Sequence, residues 1–135
     1  NNIMNQYGDC SVSIKTREEF KKLLLQTIDE NLKQIFQETA THIIYQFLEN
    51  NYSLKREEIP EKLETFMEGL QEFFRSGAHM VEQSILKELY VNLGLKYKSR
   101  EDYRFIDYID DLENVYQAIR NPPKSKWLQK ALPKT

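Results

Sequence analysis

The sequence predicts an all-α protein, a single compact bundle of about five amphipathic helices. Three observations lead there. Apolar residues recur at three- and four-residue spacing in five separate stretches, the period of a helix with one buried face. The two-residue alternation of a strand is nowhere sustained. Only four Gly and four Pro punctuate 135 residues, so long elements with short connections are expected. The length fits one domain that can bury its own core.

Residues 1–15 show no helical period and read as a flexible N-terminal arm, ahead of a helical domain over residues 16–120. The first helix is expected at Thr16, whose hydroxyl forms a capping box with Glu19 three residues on. Phe20, Leu23, Leu24, Thr27, Ile28 and Leu32 mark its face. Ala40, Ile43, Ile44, Phe47 and Leu48 form a second stripe, with no Gly or Pro in between. Phe20 and Leu48 are 28 steps of about 100° apart, roughly 80° short of eight full turns. One straight helix would aim the two stripes in different directions, so a bend is expected near Gln34–Thr39. Asn50 and Asn51, which tolerate left-handed geometry, close the second helix.

The run LKREEIPEK reads as a loop, with Pro60 suited to the first turn of the next helix. Leu63, Phe66, Met67, Leu70, Phe73 and Phe74 give a third stripe. Ser76 is a natural N-cap for a fourth helix, whose wide face is Ala78, Val81, Ile85, Leu86, Leu89, Tyr90 and Leu93. Gly94 stops it. Phe105, Ile109, Leu112, Tyr116 and Ile119 define a fifth helix, ended by Asn121-Pro122-Pro123. Residues 121–135 form a basic C-terminal tail with the single Trp, Trp127.

Charge and cysteine content narrow the function. The tail holds Lys124, Lys126, Lys130 and Lys134 and no acid, which leaves residues 1–120 with 15 basic against 21 acidic groups, a net −6. Such a body is a poor surface for phosphate. A nucleic-acid contact would therefore fall to those four lysines. Cys10 is alone, which fits a reducing compartment. No signal peptide is read, and the longest uncharged run, Thr39–Leu48, is too short to span a bilayer, so no membrane partner is expected.

Four groups of residues invite a chemical reading. His79 and Glu82 share a helix face and are both metal-ligand types, but no third ligand is nominated, and an exposed first-turn histidine explains the pair as well. Asp107, Asp110 and Asp111 lack the spacing and central Gly of a calcium loop and suit the acidic first half of a helix. Cys10 has no histidine near it, and His42 reads as a boundary residue of the second helix. Tyr90, Tyr97, Tyr103, Tyr108 and Tyr116 either line a pocket or interface, where tyrosine is enriched, or fill helix faces with the hydroxyl in water. No catalytic residue, cofactor or metal is expected.

Three runs carry a family resemblance: FKKLLLQTIDENL, then LKREEIPEKLETFMEGLQEFFRSGAHMVEQSILKELYVNLGLKY, then FIDYIDDL. Over roughly residues 17 to 115 the chain resembles the nitrosopumilus output domain family, small archaeal domains proposed as outputs of signalling proteins. The more specific matches are Leu54–Pro60, Gly77-Ala78, the face Ile85, Leu86, Leu89 and Tyr90, and Phe105, Asp107 and Tyr108. The resemblance implies that Gly77-Ala78-His79-Met80 is native sequence, that the protein is archaeal and cytoplasmic, and that it is without known catalysis. The expectation is a non-enzymatic interaction or regulatory module that docks an unknown protein partner or forms a homodimer. The alternative is a nucleic-acid-associated regulator that uses the basic tail.

Overall fold

The computed structural model describes the backbone of residues 2–120 and the side chains of residues 14–120. It is all-helical, with no strand among the described residues. Among those residues, four α-helices form the bundle: α1 (Asn2–Tyr52), α2 (Leu63–Phe74), α3 (Ala78–Asn92) and α4 (Phe105–Arg120). Short 3-10 turns cover Arg56–Glu61 and Arg75–Gly77.

The five expected helices appear as four because the first two join without a loop. Within α1 a single residue, Gln37, leaves helical geometry, with φ 71° and ψ 176°. The break falls inside the Gln34–Thr39 window that the stripe phases require. It is sharper than a bend. Tyr45 Oη donates to Asp29 Oδ1 at 2.8 Å, although a straight helix would hold residues sixteen apart by about 24 Å. The limb before Gln37 and the limb after it therefore fold back on each other. Phe20, Leu24, Ile28 and Leu32 on the first limb and Ile44 and Leu48 on the second are all fully buried.

The helix start expected at Thr16 is corrected. Helical backbone runs from Asn2, through the residues 1–15 read as an arm, and Thr16 is buried inside α1. No Pro interrupts this stretch, and one Gly weakens a helix without ending it. The stop at the other end also shifts. Tyr52 is still helical, and the left-handed residue is Ser53 (φ 51°) rather than Asn50 or Asn51. Asn51 instead donates from Nδ2 to the Phe47 carbonyl.

The expected loop after α1 carries the first 3-10 turn. Glu58 accepts from the Lys55 amide at 3.0 Å, Pro60 takes its place in the turn, and Leu54 and Ile59 anchor it in the core. α2 packs on α1 where a glycine permits it. A Cβ on Gly69 would lie 2.2 Å from Leu48 Cδ2. α3 buries Ala78, Val81, Ile85, Leu86 and Leu89, the face its stripe foretells. Ser76, however, is not its cap. It lies in the second 3-10 turn, and α3 begins after Gly77 with no side-chain cap.

Gly94 ends α3 as expected, at φ 73°. Its amide donates to the Val91 carbonyl and that of Leu95 to the Tyr90 carbonyl, which satisfies the last turn in a Schellman arrangement. α4 then crosses back over the first limb. Phe105, Tyr108, Ile109 and Leu112 enter the core, and Glu19 meets both Tyr116 and Arg120. No helix among the described residues is long and apolar enough to cross a membrane.

Candidate functional site

α2, α3 and residues 97–108 enclose a cleft of about 370 Å³. Its walls include Met67, His79, Glu82, Tyr97, Arg100, Tyr103 and Tyr108. Two groups that the sequence offers separately, the His79–Glu82 pair and three of the five tyrosines, Tyr97, Tyr103 and Tyr108, thus meet in one place. Helix periodicity brings Glu82 here. It sits one turn after Ala78 on α3, beside the buried face, and is half-buried.

Tyr103 and Tyr108 are fixed by local hydrogen bonds. Tyr108 Oη accepts from the Arg100 amide at 2.6 Å and donates to the Arg100 carbonyl at 3.1 Å, pinning the segment before α4 to the helix. Tyr103 Oη donates to Asp111 Oδ2 at 2.8 Å. The rings form a chain, with Tyr90 and Tyr97 5.4 Å apart, Tyr97 and Tyr108 5.4 Å, and Tyr103 and Tyr108 5.0 Å. Burial raises the Tyr97 and Tyr90 phenols above the ordinary value, and the Asp111 hydrogen bond raises that of Tyr103.

Glu82 differs from the other acids of this surface in being half-buried without a partner, since Glu68 and Glu101, which also have none among the described residues, are exposed. Glu64 accepts from Arg104 at 2.6 Å, and Glu72 accepts from Tyr52. Asp111 is held by Tyr103 and, at 3.7 Å, by Arg100. The Glu82 carboxylate has no hydrogen-bond or ion-pair partner among the described residues. Burial pushes its pKa above the ordinary carboxylate value, against the weaker pull of the His79 and Arg104 charges. The cleft opens into an adjoining groove where Glu64, Glu68, Glu72 and Glu82 face Arg75 and Arg104, a net charge of −2.

The charged walls of the cleft itself balance, Glu82 and Glu101 against Arg100 and Arg104, so any pull on a cation is local to the rings beside Glu82. Tyrosine faces carry negative π density, and a carboxylate beside them adds a full charge. The chain already makes such a contact here, since the Arg100 guanidinium lies 3.9 Å from the Tyr103 ring centre.

No family model, curated protein or solved structure matches the chain.

The remaining candidates fall elsewhere. Among the described residues no three His, Cys, Asp or Glu side chains gather into a metal-binding group, so His79 and Glu82 find no third ligand there. Asp107 accepts from the Arg104 amide at 2.8 Å and thereby caps the start of α4, while Asp110 is exposed. His42 is exposed on the second limb of α1, beside a separate cleft of about 380 Å³ that also holds Asp29, Lys33, Tyr45 and Arg56. Tyr116 packs on Phe20, away from the other tyrosines. Lys124, Lys126, Lys130 and Lys134 lie outside the described residues, as does the side chain of Cys10. Sequence reasoning misses the unpartnered state of Glu82. Its only local signal is the i, i+3 pairing with His79, which the sequence offers as a metal pair rather than as one wall of a tyrosine cleft.

Proposed function

We propose that this protein is a non-catalytic interaction module that docks a partner protein by accepting a basic side chain, Lys or Arg, into the tyrosine cleft. One observation carries the reading. A half-buried carboxylate, Glu82, lacks a partner inside a wall of aromatic rings, and a bound cation would offset the cost of its desolvation. The acidic groove beside it and the −6 of residues 1–120 favour approach of a basic surface. The family resemblance supports the same reading, a cytoplasmic archaeal regulator whose output is a protein contact. The nucleic-acid alternative rests on the four tail lysines alone.

The test is affinity capture from native lysate with wild-type protein and Glu82→Gln, each with and without nuclease, read by mass spectrometry. The proposal expects a protein captured by the wild type, lost with Glu82→Gln and indifferent to nuclease. Capture that Glu82→Gln leaves intact and nuclease abolishes would favour the tail.

A further inference from the structure

We infer that the hinge at Gln37 lets this chain form a domain-swapped dimer, in which α1 straightens and the first limb packs into a second copy. The structure holds a glutamine at φ 71° and ψ 176°, a region that is essentially reserved for glycine. The strain persists because packing on both limbs outweighs it. Nothing in the local sequence asks for a break. Gln34-Ile35-Phe36-Gln37-Glu38-Thr39-Ala40 has neither Gly nor Pro, and Gln, Glu and Ala are good helix formers. Rotating Gln37 into ordinary helical geometry would join the limbs into one long helix and remove the strain.

The contacts of the first limb would not be lost. Within the closed chain that limb is held by Asn31 Nδ2, which donates to Glu88 at 2.8 Å and to the Ser84 carbonyl at 3.3 Å. Asn92 donates to Thr27 at 3.1 Å, and the Tyr45–Asp29 bond spans the hairpin. Every one of these re-forms between two copies when their first limbs are exchanged. The balance then falls to the hinges. Each dimer relieves two strained glutamines, against the entropy of bringing two chains together. A connection with no loop residues, under backbone strain, is the setting in which exchange is cheapest.

A second observation points to the same partner. Large apolar side chains stand exposed on both sides of the hinge, Ile35 at 45% and Ile43 at 50%. Phe73, 37% exposed, extends this surface through its contacts with Phe47 and Phe74, and Phe74 stacks on Phe36. In an exchanged dimer the two hinge regions lie side by side, so these residues are the ones the second copy would cover. The tyrosine cleft is built from residues 67–108, all C-terminal to the hinge, so it is present in both forms. Failure of cation binding and failure of swapping are therefore separate results.

The experiment refolds the full chain from denaturant at high concentration and reads the monomer–dimer equilibrium by size exclusion with light scattering. Wild type is expected to give a dimer. Gln37→Gly relaxes the closed hinge and weakens the straight helix, so it should lower the dimerisation constant at least about tenfold. In a Cys10→Ser background, Asp29→Cys and Tyr45→Cys chains refolded together and treated with a short bismaleimide should give a cross-link between two different chains. The same chains refolded apart and mixed immediately before the reagent is added should not. A wild type that stays monomeric throughout would overturn the inference. So would a dimer that is insensitive to Gln37→Gly, or one that yields no cross-link between chains.

Discussion

Tyr45 donates its hydroxyl to Asp29 at 2.8 Å across a hairpin that contains no loop. Lys33 holds the other carboxylate oxygen at 3.0 Å, and Arg56 approaches from the first 3-10 turn at 3.8 Å. One carboxylate thus ties together both limbs of α1 and the segment after it.

This network sets an acid sensitivity. Burial works against the Asp29 carboxylate, but the Lys33 and Tyr45 hydrogen bonds and the Lys33 and Arg56 charges outweigh it, so its pKa lies below the ordinary 3.8. A depressed pKa in the folded state stabilises the fold above the unfolded value, and that contribution disappears as pH falls through the folded one. Asp29→Asn should cost about 1 kcal/mol at pH 7. The cost should shrink below pH 4, as read by urea denaturation across pH. A penalty that is the same at pH 7 and pH 2 would contradict this account.

Glu82 should behave in the opposite sense. Its pKa is raised by burial above the ordinary 4.5. The fold is then favoured below the unfolded value and loses stability as pH rises through the folded one. Glu82→Gln should therefore be more stable than wild type at pH 7 and no different at pH 4. A Glu82→Gln protein destabilised at neutral pH would mean that the carboxylate already has a partner inside the fold.

Gly69 sets how closely α1 and α2 approach. Gly69→Ala gains helix propensity but places a methyl against the buried Leu48. Overpacking of this kind should dominate and destabilise by about 1–3 kcal/mol. Leu48→Ala in the same chain should lessen the effect of the alanine, and simple additivity of the two changes would show that they do not meet.

Ser76→Ala should be close to neutral, within about 0.5 kcal/mol, because Ser76 is exposed and α3 starts after Gly77 without a side-chain cap. A loss near 1 kcal/mol in thermal or urea unfolding would restore Ser76 as the cap.

The helix faces are legible in the sequence because burial repeats every three to four residues, and Phe20, Ile28, Ile44, Phe66, Ile85 and Leu112 all fall on the face their stripe requires, whereas Ile43, Phe73 and Ile119, read onto the same stripes, stand exposed. The break near Gln37 is legible from stripe phase, but its sharpness is not. Tertiary packing, not turn chemistry, holds a glutamine in a glycine-like conformation. Local capping signals mislead at Thr16 and Ser76, since such residues occur inside helices and in 3-10 turns as well as at caps. The cleft is the least legible part. Its walls come from three separated stretches, and the path of residues 97–104 depends on a Tyr108–Arg100 bridge that no periodicity announces.

The most direct test of the cation-docking claim is a titration of ¹⁵N-labelled full-length protein, followed by backbone amide shifts. The probes are three capped alanine-rich pentapeptides that differ only in a central Lys, Arg or norleucine. The account predicts saturable shifts with Lys or Arg, confined to the amides around Glu82 and residues 97–108, absent with norleucine and lost in Glu82→Gln. Shifts of equal size with norleucine, shifts that survive Glu82→Gln, or none up to about 10 mM, where binding is weaker than roughly 3 kcal/mol, would contradict it.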